Sequence, residues 1–367
     1  MAADALFRPF RHGSLELPTR IVMAPMTRKF CPENVPGDDV IEYYRKRAAA
    51  GVGLILTEGT TVDHPAAEGY LGVPYFHGEA PLAGWKRVVD AVHAAGGKIA
   101  PQLWHIGNIR RSAELSQPEV PAHGPMERTK DGRVLVHGML QSDIDATVAA
   151  FAKAAADAKR IGMDAIELHG AHGYLIDQFF WEGTNRRTDD YGGDMARRSR
   201  FAIEIVQAVR AAVGPDFPVI LRFSQWKQQD YEAKLAADPQ ALEDFLGPLS
   251  DAGVDIFHCS TRRFWEPEFQ GSALNLAGWT RKLTGKPSIT VGSVGLDAEF
   301  IQFMAETDKV ARPASLDGLI ARLEAGEFDL VAVGRALISD PEWARKVREG
   351  RDADILPFSR EALATLD

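Results

Sequence analysis

Residues 165–193 read AIELHGAHGYLIDQFFWEGTNRRTDDYGG. The apolar-leaning run Ala165–Leu168 has the character of a buried strand end, and it leads straight into His169, His172 and Tyr174. Two imidazoles can hold a carbonyl oxygen and stabilise negative charge forming on it. A phenol two residues further on can give up a proton as a weak general acid. The same residues have blander readings. A lone histidine is usually structural, and a tyrosine in a GYL triplet can simply pack. His-x-x-His can also hold a metal. No HEXXH motif and no His-x-His after the first strand accompany it to build a hydrolase metal cage.

Three other groups could do chemistry. Gln102 and Arg222 are polar residues inside otherwise apolar strand-like runs, where an unpartnered polar side chain is costly. A glutamine offers donor and acceptor together to a heterocyclic amide, and an arginine can neutralise electron-rich ring nitrogen and oxygen. Each could equally be a satisfied core or rim polar group. Near the C-terminus, SITVGSVG and LVAVGRA bring Gly292, Ser293, Gly334 and Arg335 to two successive strand ends. Backbone amides with one guanidinium suit a phosphate, and the last two strands of an α/β barrel often carry one. The plainer alternative is turn glycines and a surface ion pair. Phe264 and Trp265 could line a site or cap the fold.

These residues need elements to position them. Apolar runs recur at RIVMAP (20–25), GLILTE (53–58), KIAPQLW (98–104), AIELH (165–169), PVILRF (218–223), DIFHCS (255–260), SITVG (288–292) and LVAVG (330–334). Continuous rather than alternating apolar character suits parallel strands buried on both faces. Amphipathic stretches at 39–50, 81–95, 143–161, 196–213, 239–252, 273–283, 315–324 and 340–349 lie between them. Ser142 or Asp143 is the expected cap of the third, Asp340–Pro341 the expected start of the last, and Gly162, Gly253 and Gly326 the expected stops. Eight strand–helix units predict an α/β fold, a single (β/α)8 TIM barrel spanning residues 1–367, ahead of a doubly wound open sheet. FRHGSLELPT predicts an N-terminal hairpin plugging one end. Long βα excursions at 105–141, 225–238 and 261–272 follow strands and should crown the other end. The first of them is expected to form a capping subdomain or lid, with VLVHG (134–138) as one arm of a hairpin.

Composition narrows the class. The 367 residues carry a net charge of −9, with 45% hydrophobic and 25% charged residues. That is ordinary for a soluble globular protein and gives no sign of the basic face that a nucleic-acid binder usually carries. No apolar run approaches the roughly 18 residues that span a bilayer, and MAADALFRPFRHG lacks a signal-peptide core. A cytoplasmic location is the expectation. Cys31 and Cys259 suggest neither a disulfide framework nor a zinc or iron–sulfur site. The composition is compatible with a monomer or a homo-oligomer.

Along nearly its whole length the chain resembles the old yellow enzyme family of FMN-dependent ene-reductases. The resemblance rests on APMTR (24–28), TEGT (57–60), PQLWHIG (101–107), ELHGAHGYLIDQF (167–179), NRRTDDYGG (185–193), LRFS (221–224) and VGRALISDP (333–341), in family order. It implies FMN as cofactor and NADH or NADPH as reductant. Pro25, Met26 and Thr27 would lie along the flavin, with the Thr27 hydroxyl near its O4, and Gly59 would approach the ring by its backbone. Gln102 would bond the pyrimidine edge and Arg222 would sit near N1 and O2. Gly292, Ser293, Gly334 and Arg335 would take the phosphate. His169 and His172 would bind the oxygen of an electron-poor alkene such as an α,β-unsaturated carbonyl, maleimide or nitroalkene. Trp104 would line the substrate side, and Tyr174 would supply the proton that complements hydride from flavin N5. No metal is implied.

The chain departs from the family pattern in places. Many members have Asn where this chain has His172, and one branch has Cys where Thr27 stands. Gly107-Asn108 replaces a common Gly-Arg, VGSVG replaces a common double glycine, and LRFSQWKQQDYE differs from the usual segment after strand five. Alternative readings keep the flavin barrel but change the reaction, for example to oxidative demethylation, or remove turnover altogether. A metal-dependent barrel hydrolase would use His169 and His172 as ligands.

Overall fold

The computed structural model describes residues 3–299 and 310–367. Eight parallel strands close into a barrel: β1 (Ile21–Met23), β2 (Leu54–Thr61), β3 (Lys98–Trp104), β4 (Ile166–His172), β5 (Val219–Lys227), β6 (Ile256–Ser260), β7 (Ser288–Val291) and β8 (Leu330–Val333). Each pairs with its sequence neighbours, and β8 returns to β1. The expected (β/α)8 barrel is the observed fold. Helices α1 (Asp38–Ala49), α2 (Glu79–Ala94), α3 (Gln141–Arg160), α4 (Met195–Val213), α5 (Pro239–Ala252), α6 (Leu276–Thr284), α7 (Asp317–Glu324) and α8 (Trp343–Arg348) lie in the intervals between and after them.

The barrel interior explains the continuous apolar runs. Outward residues such as Ile55, Leu168, Leu221 and Phe257 join the helices in one large core. Inward residues such as Val22, Leu54, Ala100, Ala165, Ile220, Ile256 and Leu330 fill the lower lumen. The hairpin Phe10–His12/Leu15–Leu17 closes the N-terminal end, and Phe10, Leu15 and Leu17 belong to that same lumen cluster. The Ser14 hydroxyl and backbone N–H both donate to Asp216 O, pinning the turn just ahead of β5.

Several boundaries differ from the sequence expectation. β4 and β5 run three and four residues past the predicted ends, to His172 and Lys227. A bulge between Phe223 and Lys227 brings Lys227 opposite His172, as bulges at barrel rims commonly re-aim a side chain. Residues 225–227 are therefore strand, not loop. Neither Ser142 nor Asp143 caps α3. Leu140 is its N-cap, and the Asp143 carboxylate accepts the Leu140 N–H at 2.7 Å, which satisfies a terminal donor from inside the first turn. The last helix starts at Trp343, while the Asp340 carboxylate accepts the Glu342 N–H at 3.1 Å just ahead of it. Two short helices, Leu175–Phe180 and Arg335–Ser339, were not expected.

The 105–141 excursion forms a three-stranded sheet. Arg133–Gly138 pairs antiparallel with Arg128–Lys130, as a hairpin should, and parallel with the unanticipated strand Ala122–Gly124. It meets the barrel through a row of imidazoles. His105 Nε2 lies 3.2 Å from His64 Nδ1, and the His64–His123 and His123–His137 ring centroids are each 5.0 Å apart. His64, His105 and His123 all titrate below the usual imidazole range, mainly because they are buried, so these three rings are neutral at neutral pH.

Leu17 is 2% exposed at the barrel floor. Leu17→Ala should lower unfolding free energy by about 2–4 kcal/mol, read as a lower denaturant midpoint with an unchanged m-value.

Candidate active site

At the C-terminal end of β4, alternation of side chains puts Ala165, Glu167 and His169 on the lumen face, in ascending order. The chain then turns through His172, whose φ of 65° lies in the left-handed region. The His172 N–H donates to Ser224 Oγ at 2.9 Å, which holds that turn. The outcome is a tight cluster of rings. His169 and His172 are 5.2 Å apart and nearly perpendicular, and His169 and Tyr174 are 4.8 Å apart. Trp104, ending β3, meets Tyr174 edge-on at 5.2 Å, and Tyr70 stacks behind Trp104 at 5.9 Å.

Burial sets the protonation of this cluster. His169 and His172 titrate well below the usual imidazole range, first because they are desolvated and second because the Arg222 charge is close. Both are neutral at pH 7. The Tyr174 phenol is pushed above its ordinary value by burial. His172 Nε2 lies 2.8 Å from Ser260 Oγ, and Arg222 Nη2 donates to the same oxygen at 3.4 Å. When the Ser260 hydroxyl donates to Nε2, the neutral ring carries its proton on Nδ1, the nitrogen then left to donate to another oxygen. The His172 ring also stacks on Trp226 at 4.6 Å.

Below the rings lies a polar layer. Gln102 Nε2 donates to Glu167 Oε1 at 2.8 Å, and His258 Nδ1 lies 2.6 Å from Glu167 Oε2. Arg222 is directly opposite His169 on one side and His258 on the other. Its Nε, together with His169 Nδ1 and Trp104 Nε1, is buried without a hydrogen-bond partner among the described residues. Gln102 spends its NH2 on Glu167, so its carbonyl oxygen is the free end of the amide.

The remaining predicted residues fall around this centre. Pro25, Met26 and Thr27 lie in the loop after β1, and a Cβ on Gly334 would come within 3.5 Å of Met26 Sδ. Gly59 is opposite Gln102 in the β2–β3 register, and a Cβ there would meet the Trp104 ring at 3.2 Å. Its lack of a side chain thus makes room for Trp104. Gly292 and Ser293 follow β7 while Gly334 and Arg335 follow β8, so the adjacent strand ends bring the four together. Gly292 has φ 138°, and a Cβ would press on Thr261 O at 2.8 Å. Ser293 Oγ donates to Arg262 O at 3.0 Å and Arg335 Nη2 to Ala298 O at 2.6 Å. Phe264 belongs to the main core, and Trp265 is exposed. The pair caps the β6–β7 side; it does not join the ring cluster. Among the described residues, no third His, Cys, Asp or Glu joins His169 and His172 in a metal-ligand grouping.

Sequence reading missed Glu167, His258, Ser260, Trp226, Gln228 and a buried ion pair. Lys227 Nζ and Asp177 Oδ1 are 2.6 Å apart, both side chains fully buried. The other Asp177 oxygen accepts the Gly173 N–H at 2.7 Å. Burial raises Asp177 and lowers Lys227, and each partner opposes the shift of the other. Glu167 and His258 carried the same signal as Gln102, a polar residue in an apolar run. The contacts of Asp177 with Lys227 span 50 residues and left no local trace.

Glu58 is a second missed group. Its Oε2 accepts the Arg28 and Lys29 N–H groups at 2.9 and 3.2 Å, which shapes the loop carrying Met26 and Thr27. Burial pushes its carboxyl up from 4.5 to about 7, against the pull of those amides. The native state therefore holds a proton that the unfolded chain has lost between about pH 5 and 7, and stability contributed here falls as pH rises through that window. Glu58→Gln, which keeps the acceptor oxygen, should flatten this slope. Urea midpoints from pH 5 to 8 that decline as steeply as in the parent would contradict the assignment.

The profile of the NADH:flavin oxidoreductase / NADH oxidase family matches residues 5–354. An NADH oxidase from Thermoanaerobacter brockii is 35% identical over 95% of this chain, which spans 52% of that relative, about half its length. The 12-oxophytodienoate reductase 7 of Oryza sativa subsp. japonica is 34% identical over 99% of this chain and 92% of its own. Morphinone reductase, solved in complex with tetrahydroNAD, superimposes with a TM-score of 0.79 at 31% identity, covering 98% of this chain and 93% of that one. The chain belongs to the NADH:flavin oxidoreductase / NADH oxidase family, the old yellow enzyme family of FMN-dependent oxidoreductases.

Proposed function

We propose that the protein uses NADH or NADPH to reduce the C=C bond of electron-poor alkenes, with residues 1–367 acting as one FMN-binding barrel and residues 105–141 capping its mouth. The observation that carries this reading is the cluster of two neutral imidazoles and one protonated phenol, with His169 5.2 Å from His172 and 4.8 Å from Tyr174, above a layer containing Gln102 and Arg222. A bound nicotinamide analogue in the related morphinone reductase supports a nicotinamide reductant.

The donors present fit FMN. The Arg222 Nε is buried and unsatisfied, as expected of a guanidinium waiting for a ligand atom. The Gln102 amide, its NH2 fixed by Glu167, turns an acceptor to the remaining side, which suits a ring N–H. Pro25, Met26, Thr27 and Gly59 would flank the ring, and the Gly292, Ser293, Gly334 and Arg335 ends would take the phosphate. When bound, FMN supplies the two-electron carrier between NAD(P)H and the alkene.

The chain's own residues then divide the work. His169 and His172 hold the oxygen conjugated to the alkene, His172 through Nδ1. Neutral imidazoles donate without placing a full charge on that oxygen, so their hydrogen bonds strengthen as negative charge develops there. Tyr174 gives its proton to the carbon next to the activating group, and the electron pair of the broken O–H bond stays on the phenol oxygen. Trp104 packs along Tyr174 and keeps water from that face. No described helix is long and apolar enough to cross a membrane.

Purified protein should be yellow, bleach anaerobically with NADH or NADPH, and recolour on addition of an enone, maleimide or nitroalkene. Tyr174→Phe should slow the recolouring step by about 100-fold or more and affect bleaching far less. Equal losses in both half-reactions, or a protein that takes up no FMN, would refute the assignment.

A further inference from the structure

The stretch SQWKQQDYE (224–232), which ends β5 and runs on from it, departs from the family pattern, and the structure gives it a role. Three consecutive residues of this segment bind three neighbouring points on the Tyr174 turn. Lys227 Nζ pairs with Asp177 at 2.6 Å, and Asp177 in turn accepts the Gly173 N–H. Gln228 Nε2 donates to the Tyr174 hydroxyl at 2.9 Å, while its backbone N–H donates to His172 O at 3.3 Å. Gln229 Nε2 donates to Gly173 O at 3.2 Å. Lys227 also donates to Ser224 O at 3.0 Å, so two of its three ammonium donors are engaged and tie its side chain to both strand ends.

Resting on the proton-donor reading of Tyr174 given above, we propose that Gln228 is a positioning residue for that proton transfer, aiming the phenol and stabilising the oxygen it leaves behind.

The chemistry follows from donor and acceptor types. An amide NH2 only donates, so the Tyr174 oxygen accepts from Gln228 and its own proton points elsewhere, away from the amide. When the Tyr174 O–H bond breaks, a C–H bond forms at the substrate carbon and the electron pair remains on the phenol oxygen. The Gln228 N–H then bonds an anion, and such charge-assisted bonds are stronger than the neutral bond they replace. Stabilisation therefore grows along the reaction coordinate, which is the condition for accelerating a step. Burial first, and Tyr70 beside it, make the phenol a reluctant acid, and the Gln228 contact acts in the opposite sense. Gln228 is on the exposed side of the segment, so water can return the proton to the phenolate once product leaves.

An exposed glutamine is ordinarily too mobile to aim anything. Here the residue before it is locked into a fully buried ion pair and the residue after it is bonded to the same turn. The amide inherits its position from these two anchors.

The test uses the FMN-loaded enzyme and 2-cyclohexenone, in a cycle of Gln228→Leu, Gln228→Glu, Tyr174→Phe and the double variants. Gln228→Leu should slow alkene-dependent reoxidation about 10- to 100-fold and raise its solvent deuterium isotope effect. Gln228→Glu, which can only accept, should be at least as slow. Neither change should cost anything further in the Tyr174→Phe background. Equal losses with and without the phenol, or a Gln228→Glu enzyme as fast as the parent, would overturn the proposal. A normal Tyr174→Phe defect with no Gln228 effect overturns it alone. A Tyr174→Phe enzyme that reoxidises at the parent rate removes the underlying reading as well.

Discussion

A carboxylate in the middle of a barrel is the constraint on which this site is built. Glu167 is fully buried, and its two oxygens are taken by Gln102 from β3 and His258 from β6. An isolated charge there would cost several kcal/mol, and such groups persist only when paired and hydrogen-bonded. Arg222, opposite His169 on one side and His258 on the other, is the nearby compensating cation. The period of two in a strand then determines everything above and below. One step down from Glu167, Gln102, Arg222 and His258 lie Ala165, Ala100, Ile220 and Ile256, the apolar floor. One step up lie His169, Trp104, Ser224 and Ser260, the mouth. A single layer of paired charge thus separates a core that holds the barrel shut from a rim that can bind.

The same logic governs charge at the mouth. Arg222 is balanced through Glu167, and Lys227 is held by Asp177. Apart from Arg222, whose Nε is still unpartnered, the fixed charges are used up in structure. The groups of the ring cluster are neutral: two imidazoles held unprotonated by burial and by Arg222, and a phenol held protonated by burial. These donors start without a net charge, so their interactions with a polarised substrate would be strongest where charge is developing and not where it already exists.

Much of this was legible in the sequence, and the exceptions have physical reasons. Buried parallel strands must be apolar on both faces, so all eight were visible as runs. Their ends were not. His172 and Lys227 are polar and read as loop, yet they extend β4 and β5 because Ser224 and Asp177 satisfy them. The polar residues Gln102 and Arg222 stood out within apolar runs, and Glu167 and His258 could have been found by the same argument. Gln228 could not, because its partner lies 54 residues away on another strand end. The start of α3 was misplaced because Asp143 bonds back to the Leu140 N–H from within the first turn, whereas a cap bonds forward. The short helices Leu175–Phe180 and Arg335–Ser339 are too brief for any periodicity to register.

The left-handed backbone at His172 reaches beyond this one molecule. With φ at 65°, the position tolerates glycine and, among residues with side chains, chiefly asparagine, aspartate and histidine. On the role proposed for His172, glycine would carry no donor, and aspartate would set a negative charge against an oxygen that is itself becoming negative. Asparagine and histidine are what remain, and their codons differ by one nucleotide. A lineage carrying this turn can therefore move between an amide and an imidazole in a single mutational step, keeping a neutral hydrogen-bonding side chain at this position. The turn acts as an evolutionary filter: the backbone decides which donors selection is offered, and the substrate only chooses between them.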